Sequence, residues 1–289
     1  MKPSRSTFLD IRGLRYHVRE WGTPGAPQMF ILHGWMDSSA SFQFVVDALE
    51  RDWHVLAPDW RGYGLTARPA ADCYWFPDYL ADLERILAHY SPDAPVRLVG
   101  HSMGGNIACL YGGVRPKRIA KIANLEGFGL PATQPDDAPK RYARWLDELA
   151  DPPTLREHES TAAFAARLMH GNARLTAERA RFIAEHWSEP TPGARVRPLA
   201  DPAHKIVNPT LYRLEESMAC WRAVTAPVLW VVGAQTQTLA QMRLTEADHE
   251  ARKRCFAKLE AHTIPDAGHM LHHDQPEVLA RLLEGFLVG

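Results

Sequence analysis

Apolar and polar positions change rhythm along this chain, and the changes predict its architecture. Over residues 7–125, short β-like runs alternate with amphipathic stretches, the pattern of a mostly parallel sheet with helices on both faces. Residues 8–11 and 14–21 flank Arg12-Gly13 and read as a hairpin. After Pro27 comes MFILH, too apolar for a half-exposed strand and therefore central. Residues 41–51 read as a helix, followed by strand-like WHVLAP and a turn-rich DWRGYG. Within 78–90, Leu80, Leu83, Ile86 and Leu87 recur at helical spacing. VRLVG and IAKIANL are two further buried strands, separated by a helix that starts at Met103.

Between residues 127 and 226 the alternation stops. Helices are expected at 140–150, 161–170, 176–187 and 211–221, with no strand among them and an irregular stretch over 191–209. Such a block, inserted between strands, belongs above the carboxyl ends of the sheet as a lid. The strand-helix rhythm then resumes with PVLWVVG, a helix over 248–256, strand-like KLEAHTI and a last helix over 276–287. The expected organisation is a core of residues 1–126 and 227–289 carrying a helical cap at 127–226.

Composition changes this picture little. The 289 residues suit at most two units of about 150 each. With 33 basic against 34 acidic side chains, no field exists to release phosphate counterions, so no nucleic-acid partner is expected. The opening MKPSRSTFLDIRG lacks an apolar export core, and no uncharged run approaches 20 residues; neither export nor a membrane span is expected, and the protein reads as cytoplasmic. Cys73, Cys109, Cys220 and Cys255 lie far apart without a CxxC pair, which suits a reducing compartment and argues against a zinc site.

The chemistry centres on Gly100-His101-Ser102-Met103-Gly104, a G-x-S-x-G elbow with the strand before it and the helix after it that the motif requires. A strand turning sharply into a helix strains its central residue, so Gly100 and Gly104 must lack side chains. Ser102 then stands beside a helix amino terminus, which stabilises negative charge. A serine hydroxyl needs a base. Among 14 histidines, His269 follows strand-like KLEAHTI and precedes the last helix, which puts it in a loop at the same sheet edge, with Gly268 free to swing the ring inward. His272 is the competitor. His272, His273 and Asp274 could suggest a metal cluster, but Asp274, Pro276 and Glu277 read better as a capping box for the final helix.

With His33-Gly34-Trp35, Asp59-Trp60-Arg61-Gly62-Tyr63-Gly64, the elbow and Gly268-His269, the chain resembles the α/β-hydrolase superfamily over nearly its whole length. The resemblance implies an eight-stranded, mostly parallel sheet with a helical cap. It also implies an oxyanion hole from the backbone N–H groups of Trp35 and Met103, each typically contributing about 3 to 4 kcal/mol. His33 is expected to brace its loop, and residues 59–64 to form a structural turn. Many relatives carry the acid after the strand that follows the cap, yet here that strand runs into Ala234-Gln235-Thr236-Gln237 without a carboxylate. The expected acid is therefore Glu126, at the end of the strand after the elbow helix, with Gly127 releasing the chain toward the cap; Asp248 and Glu246 are the fallbacks.

The insert's large apolar residues, Trp145, Trp187, Trp221, Tyr142, Phe164, Met169 and Met218, read mostly as its own core. Phe128, Leu130 and Trp35 are expected to wall an apolar substrate pocket, and the insert's many arginines to form a solvated face. The run Gly127-Phe128-Gly129 is a lone glycine pattern of little weight, and no Walker sequence or HExxH occurs, so neither a cofactor nor a metal is expected. The implied chemistry is attack of Ser102 on small, largely apolar carboxylic esters through an acyl-enzyme, with His269 as base and Glu126 orienting it. C–C bond hydrolysis of ring-cleavage products, thioester hydrolysis, perhydrolysis and a ligand-binding module on an inactive scaffold are the alternatives.

Overall fold

A computed structural model describes residues 1–288. In chain order the elements are β1 (Ser4–Ile11), β2 (Leu14–Trp21), β3 (Gln28–Leu32), α1 (Gln43–Ala48), β4 (His54–Pro58), α2 (Phe76–Tyr90), β5 (Val96–His101), α3 (Met103–Val114) and β6 (Ile119–Leu125). Next come α4 (Ala138–Ala150), α5 (Thr161–Gly171), α6 (Ala177–Trp187), β7 (Ser188–Thr191), β8 (Arg195–Pro198) and α7 (Leu214–Arg222). The chain closes with β9 (Val228–Gly233), α8 (Thr238–Gln241), α9 (Glu246–Lys253), β10 (Leu259–Ile264), α10 (Leu271–Asp274) and α11 (Pro276–Val288).

Eight strands form one sheet in the order β1-β2-β4-β3-β5-β6-β9-β10. Only β2 runs against its neighbours; from β4 to β10 every pairing is parallel. The continuous apolar runs follow from burial on both faces. Phe30 and Leu32 of β3 join one cluster with Leu83 and Leu87 of α2 and Ile107 of α3. Met29 and Ile31 point the other way, to Val45 of α1 and Leu283 of α11. The sheet is the one the alternating pattern implies.

The insertion between β6 and β9 departs from expectation in two respects. It contains a β-hairpin, β7–β8, where helix and irregular chain were expected, and Val196 of β8 also bridges to His158. These short strands carry Pro190, Pro198 and charged side chains, so no alternating pattern announces them. The insertion's apolar residues are also only partly its core. Phe164, Ile183 and Ala184 pack with Phe44, but α4 buries no residue, Tyr142 and Leu146 are more than half exposed, and Met169 is exposed too. In place of the helix expected over 41–51, a 3₁₀ turn, Ser39–Phe42, leads into a shorter α1 that ends at Ala48. No helix among the described residues is long and apolar enough to cross a membrane.

Candidate active site

The elbow is built by close approach. A Cβ on Gly100 would lie 2.3 Å from the Gly104 carbonyl oxygen, and one on Gly104 would lie 2.1 Å from that of Leu32, so neither position admits a side chain. Ser102 itself has φ 52 and ψ −114, a sparsely populated conformation that costs about 1 to 3 kcal/mol and that the surrounding packing must impose. It caps α3 at the carboxyl edge of the sheet, between β5 and the Gly34 turn that follows β3.

Three residues distant in sequence converge there. Ser102 Oγ lies 3.1 Å from His269 Nε2. On the other side of the ring, Nδ1 lies 3.0 Å from Glu126 Oε2. The tautomer with the proton on Nδ1 donates to the carboxylate and leaves an Nε2 lone pair facing the serine hydroxyl. The Glu126 side chain has no exposed surface, and its donors hold it in place: Gly233 N–H at 2.8 Å on Oε1, Thr236 Oγ1 at 2.6 Å on Oε2. Thr238 Oγ1 completes the cluster, 3.0 Å from His269 Nδ1 and 3.5 Å from Oε2. The loop after β9 thus supplies two hydroxyls where a carboxylate was looked for. Sequence reasoning passed over them because it searched that loop only for acids.

The other candidates lie elsewhere. Asp248 is fully exposed and closes a capping box with Thr245 at the start of α9; Glu246 is exposed at the same end. His272 is buried and its Nε2 meets Ser41 Oγ at 3.0 Å. Among the described residues the Asp274 carboxylate accepts from Gly268 N–H at 2.8 Å and Asn172 Nδ2 at 2.7 Å rather than from a helix N–H, which ties down the loop carrying His269. Gly268 has no left-handed φ, so conformational freedom is not what it provides. Gly127 is likewise not the pivot of its turn; Glu126 adopts φ 57, and Gly127 is required because a Cβ there would lie 2.2 Å from Asn124 Oδ1.

His33 donates from Nδ1 to the Gly34 carbonyl at 2.8 Å and accepts from Trp60 N–H at 2.9 Å; burial lowers its pKa to about 4, so it stays neutral and holds the turn. In residues 59–64, Asp59 is gripped by His17 Nδ1 and by the N–H groups of Ser39 and Leu65, contacts that keep its pKa below the usual carboxylate range despite burial. The N–H groups of Trp35 and Met103 have no acceptor among the described residues. Both flank the serine, since a Cβ on Gly34 would lie 3.2 Å from Ser102 Cβ.

Two cavities meet at Ser102. One, of about 300 Å³, is walled by Trp35, Phe128, Leu130, Trp75 and Phe76, and Met103 and Glu126 also line it. The other, of about 390 Å³, lies toward α5 and α6 and includes His101, Asp37, Trp187 and His269. Three residues in or behind these walls were given no role from the sequence. His204 stacks between Tyr63 and Tyr74 at 3.6 and 3.7 Å, with burial holding its pKa down to about 3. Arg252, buried on α9, donates to the carbonyls of Phe128 and Leu130 and fixes the wall they form. His101 donates from Nε2 to the His269 carbonyl at 2.8 Å, linking the serine's strand to the base's loop.

Asp37, in the second cavity's wall, accepts from Ser38 N–H at 2.6 Å and Ser41 Oγ at 3.0 Å, and burial pushes its carboxyl up to about 7. A folded pKa above the unfolded one means stability that is present at low pH and lost as pH rises through about 7. Asp37→Asn is therefore expected to raise thermal stability at pH 8, by about 2 to 4 kcal/mol, with the gain vanishing toward pH 4. Melts of both proteins across that range check it; a gain independent of pH would disprove the assignment.

Comparison with known proteins agrees with this fold. Residues 27–276 match the family described as alpha/beta hydrolase fold. A "Serine hydrolase-like protein" of Danio rerio is 34% identical over 118 residues, 40% of this chain and 36% of that protein, so the chain spans only about a third of that relative's length. The "2-(acetamidomethylene)succinate hydrolase" of Mesorhizobium japonicum is 25% identical over 282 residues, covering 98% of this chain and 95% of that one. Among solved structures, the "Thioesterase Domain From Curacin Biosynthetic Pathway" superposes with TM-score 0.88 at 24% identity over 98% of this chain and 99% of its own, a likeness of fold. With its sheet order, its elbow and a family match over residues 27–276, the chain belongs to the α/β-hydrolase fold family.

Proposed function

We propose that this protein is a serine hydrolase of small carboxylic esters with a largely apolar body. The observation that carries the reading is the Ser102 Oγ···Nε2 His269 contact at 3.1 Å, with Glu126 bound to the far nitrogen of the same ring. Ser102 attacks the ester carbonyl while His269 takes its proton, and the N–H groups of Trp35 and Met103 receive the developing oxyanion. His269 returns the proton to the departing alkoxide, and water, deprotonated by the same imidazole, releases the acid. Glu126 holds the ring in its productive tautomer throughout. Residues 127–226 act as the cap, and the two cavities that meet at Ser102 receive the two halves of the ester on either side of the scissile bond.

The same machinery can open a thioester or a C–C bond of a ring-cleavage product, and one solved structure of like fold carries the name of a thioesterase domain. An inert binding scaffold has no need of a nucleophile aligned on a base, which favours an enzyme. Incubation with a fluorophosphonate, followed by peptide mapping, is expected to label Ser102. A panel of p-nitrophenyl esters, thioesters and dienone acids is expected to give its highest kcat/KM with a short ester. No labelling, together with tight binding of an unreacted ligand, would overturn the proposal.

A further inference from the structure

The 300 Å³ cavity has a chemically lopsided wall. Among the described residues its one acidic side chain, Glu126, has both carboxylate oxygens occupied by Gly233, Thr236 and His269. Besides the neutral donors of that wall, two side chains able to meet a charged or strongly polar oxygen have donors without an acceptor among the described residues. Asn106, one helical turn beyond Ser102, is more than nine-tenths buried; its Oδ1 accepts from Gly129 N–H at 2.7 Å. That bond fixes the amide's orientation, and among the described residues Nδ2 has no acceptor. Arg141, half-buried in the first turn of α4, has neither a carboxylate partner nor a hydrogen-bond acceptor among the described residues. Of the insertion's other arginines, Arg144, Arg179, Arg195 and Arg197 each hold a glutamate at 2.7 to 3.2 Å, while Arg156, Arg181 and Arg213 are exposed and line neither cavity. Arg167, at the second cavity, is exposed.

The geometry points to Arg141 as an anion-recognising residue, so that the preferred ester carries one carboxylate remote from its scissile bond. This rests on the ester-hydrolase reading and narrows its substrate class. An apolar cavity repels a carboxylate unless a cation meets it, and a guanidinium meets it through two parallel N–H···O bonds. Asn106 Nδ2, close to Ser102, is placed to donate to an oxygen nearer the reacting carbonyl. The apolar wall receives the intervening methylenes, and the guanidinium at one side of the cavity selects the charged end. One arginine is thereby withdrawn from the solvated face to which the insert's arginines were assigned.

The test compares esters matched in length with and without the charge. On the acyl side these are mono-p-nitrophenyl glutarate and p-nitrophenyl pentanoate; on the alcohol side, 4-acetoxybutanoate and butyl acetate. The wild type is expected to favour the anionic member of at least one pair. Arg141→Gln should lower kcat/KM for that ester about 10- to 100-fold, mainly through KM, while changing the neutral ester less than about threefold. Arg141→Lys should recover part of the loss. Equal treatment of charged and neutral esters by the wild type, or equal losses for both in Arg141→Gln, overturns the inference. If no ester is turned over and Ser102 takes no label, the hydrolase reading fails by itself. The anion site is then read by calorimetry with monomethyl glutarate: binding lost in Arg141→Gln sustains it, and absent or unchanged binding ends it.

Discussion

Ser102→Ala is expected to lower kcat toward its best ester by about 10⁵- to 10⁶-fold while leaving the melting temperature nearly unchanged. The hydroxyl is the atom that forms the acyl bond, and Oγ already lies 3.1 Å from His269 Nε2; without it, only the oxyanion donors and substrate positioning remain, which together sustain a small residual rate. Alanine keeps the Cβ and satisfies the same backbone, so the elbow at φ 52 should survive. Steady-state kinetics, a thermal melt and loss of fluorophosphonate labelling check the three parts together. Activity within tenfold of the wild type would mean that water, and not Ser102, attacks the substrate.

Glu126→Gln carries the second-largest expected effect, a fall in kcat of about 10³- to 10⁴-fold with KM little changed. A glutamine amide that turns its NH₂ toward Nδ1 forces the imidazole to carry its proton on Nε2, which then faces Ser102 with a donor and cannot accept the hydroxyl proton. The substitution also disturbs the bonds from Gly233 N–H at 2.8 Å and Thr236 Oγ1 at 2.6 Å. Asp248→Asn, by contrast, alters a fully exposed residue in a capping box and is expected to leave kcat within about twofold, the usual outcome away from a reacting centre. If Asp248→Asn proves the damaging variant and Glu126→Gln the silent one, the assignment of the acid is wrong.

Much of the fold was legible because its signals are local. Central strands such as Met29–Ile31 are apolar on both faces, and the elbow's glycines sit at spacings that chain geometry demands at any strand-to-helix turn. Less was legible in the insertion. The β7–β8 hairpin takes part of its pairing from His158, some forty residues upstream of β8, and such partners leave no periodic trace. Residue type alone suggested that Tyr142, Met169 and Asp274 were core and cap. Exposure on α4 and α5, and a bond to Gly268 N–H, were decided by which surfaces happen to meet.

The chain's own pattern determined the alternation that builds the sheet, the bend that presents Ser102, and the absence of a carboxylate after β9. It did so because backbone sterics and apolar periodicity act over a few residues. The meeting of Ser102 with His269, 167 positions apart, the donors that lock Glu126, and the unpaired Arg141 beside the cavity belong to the tertiary structure. Hydrogen-bond geometry and charge pairing depend on ångström-scale distances between segments, and those distances exist only once the sheet has brought its carboxyl edges together.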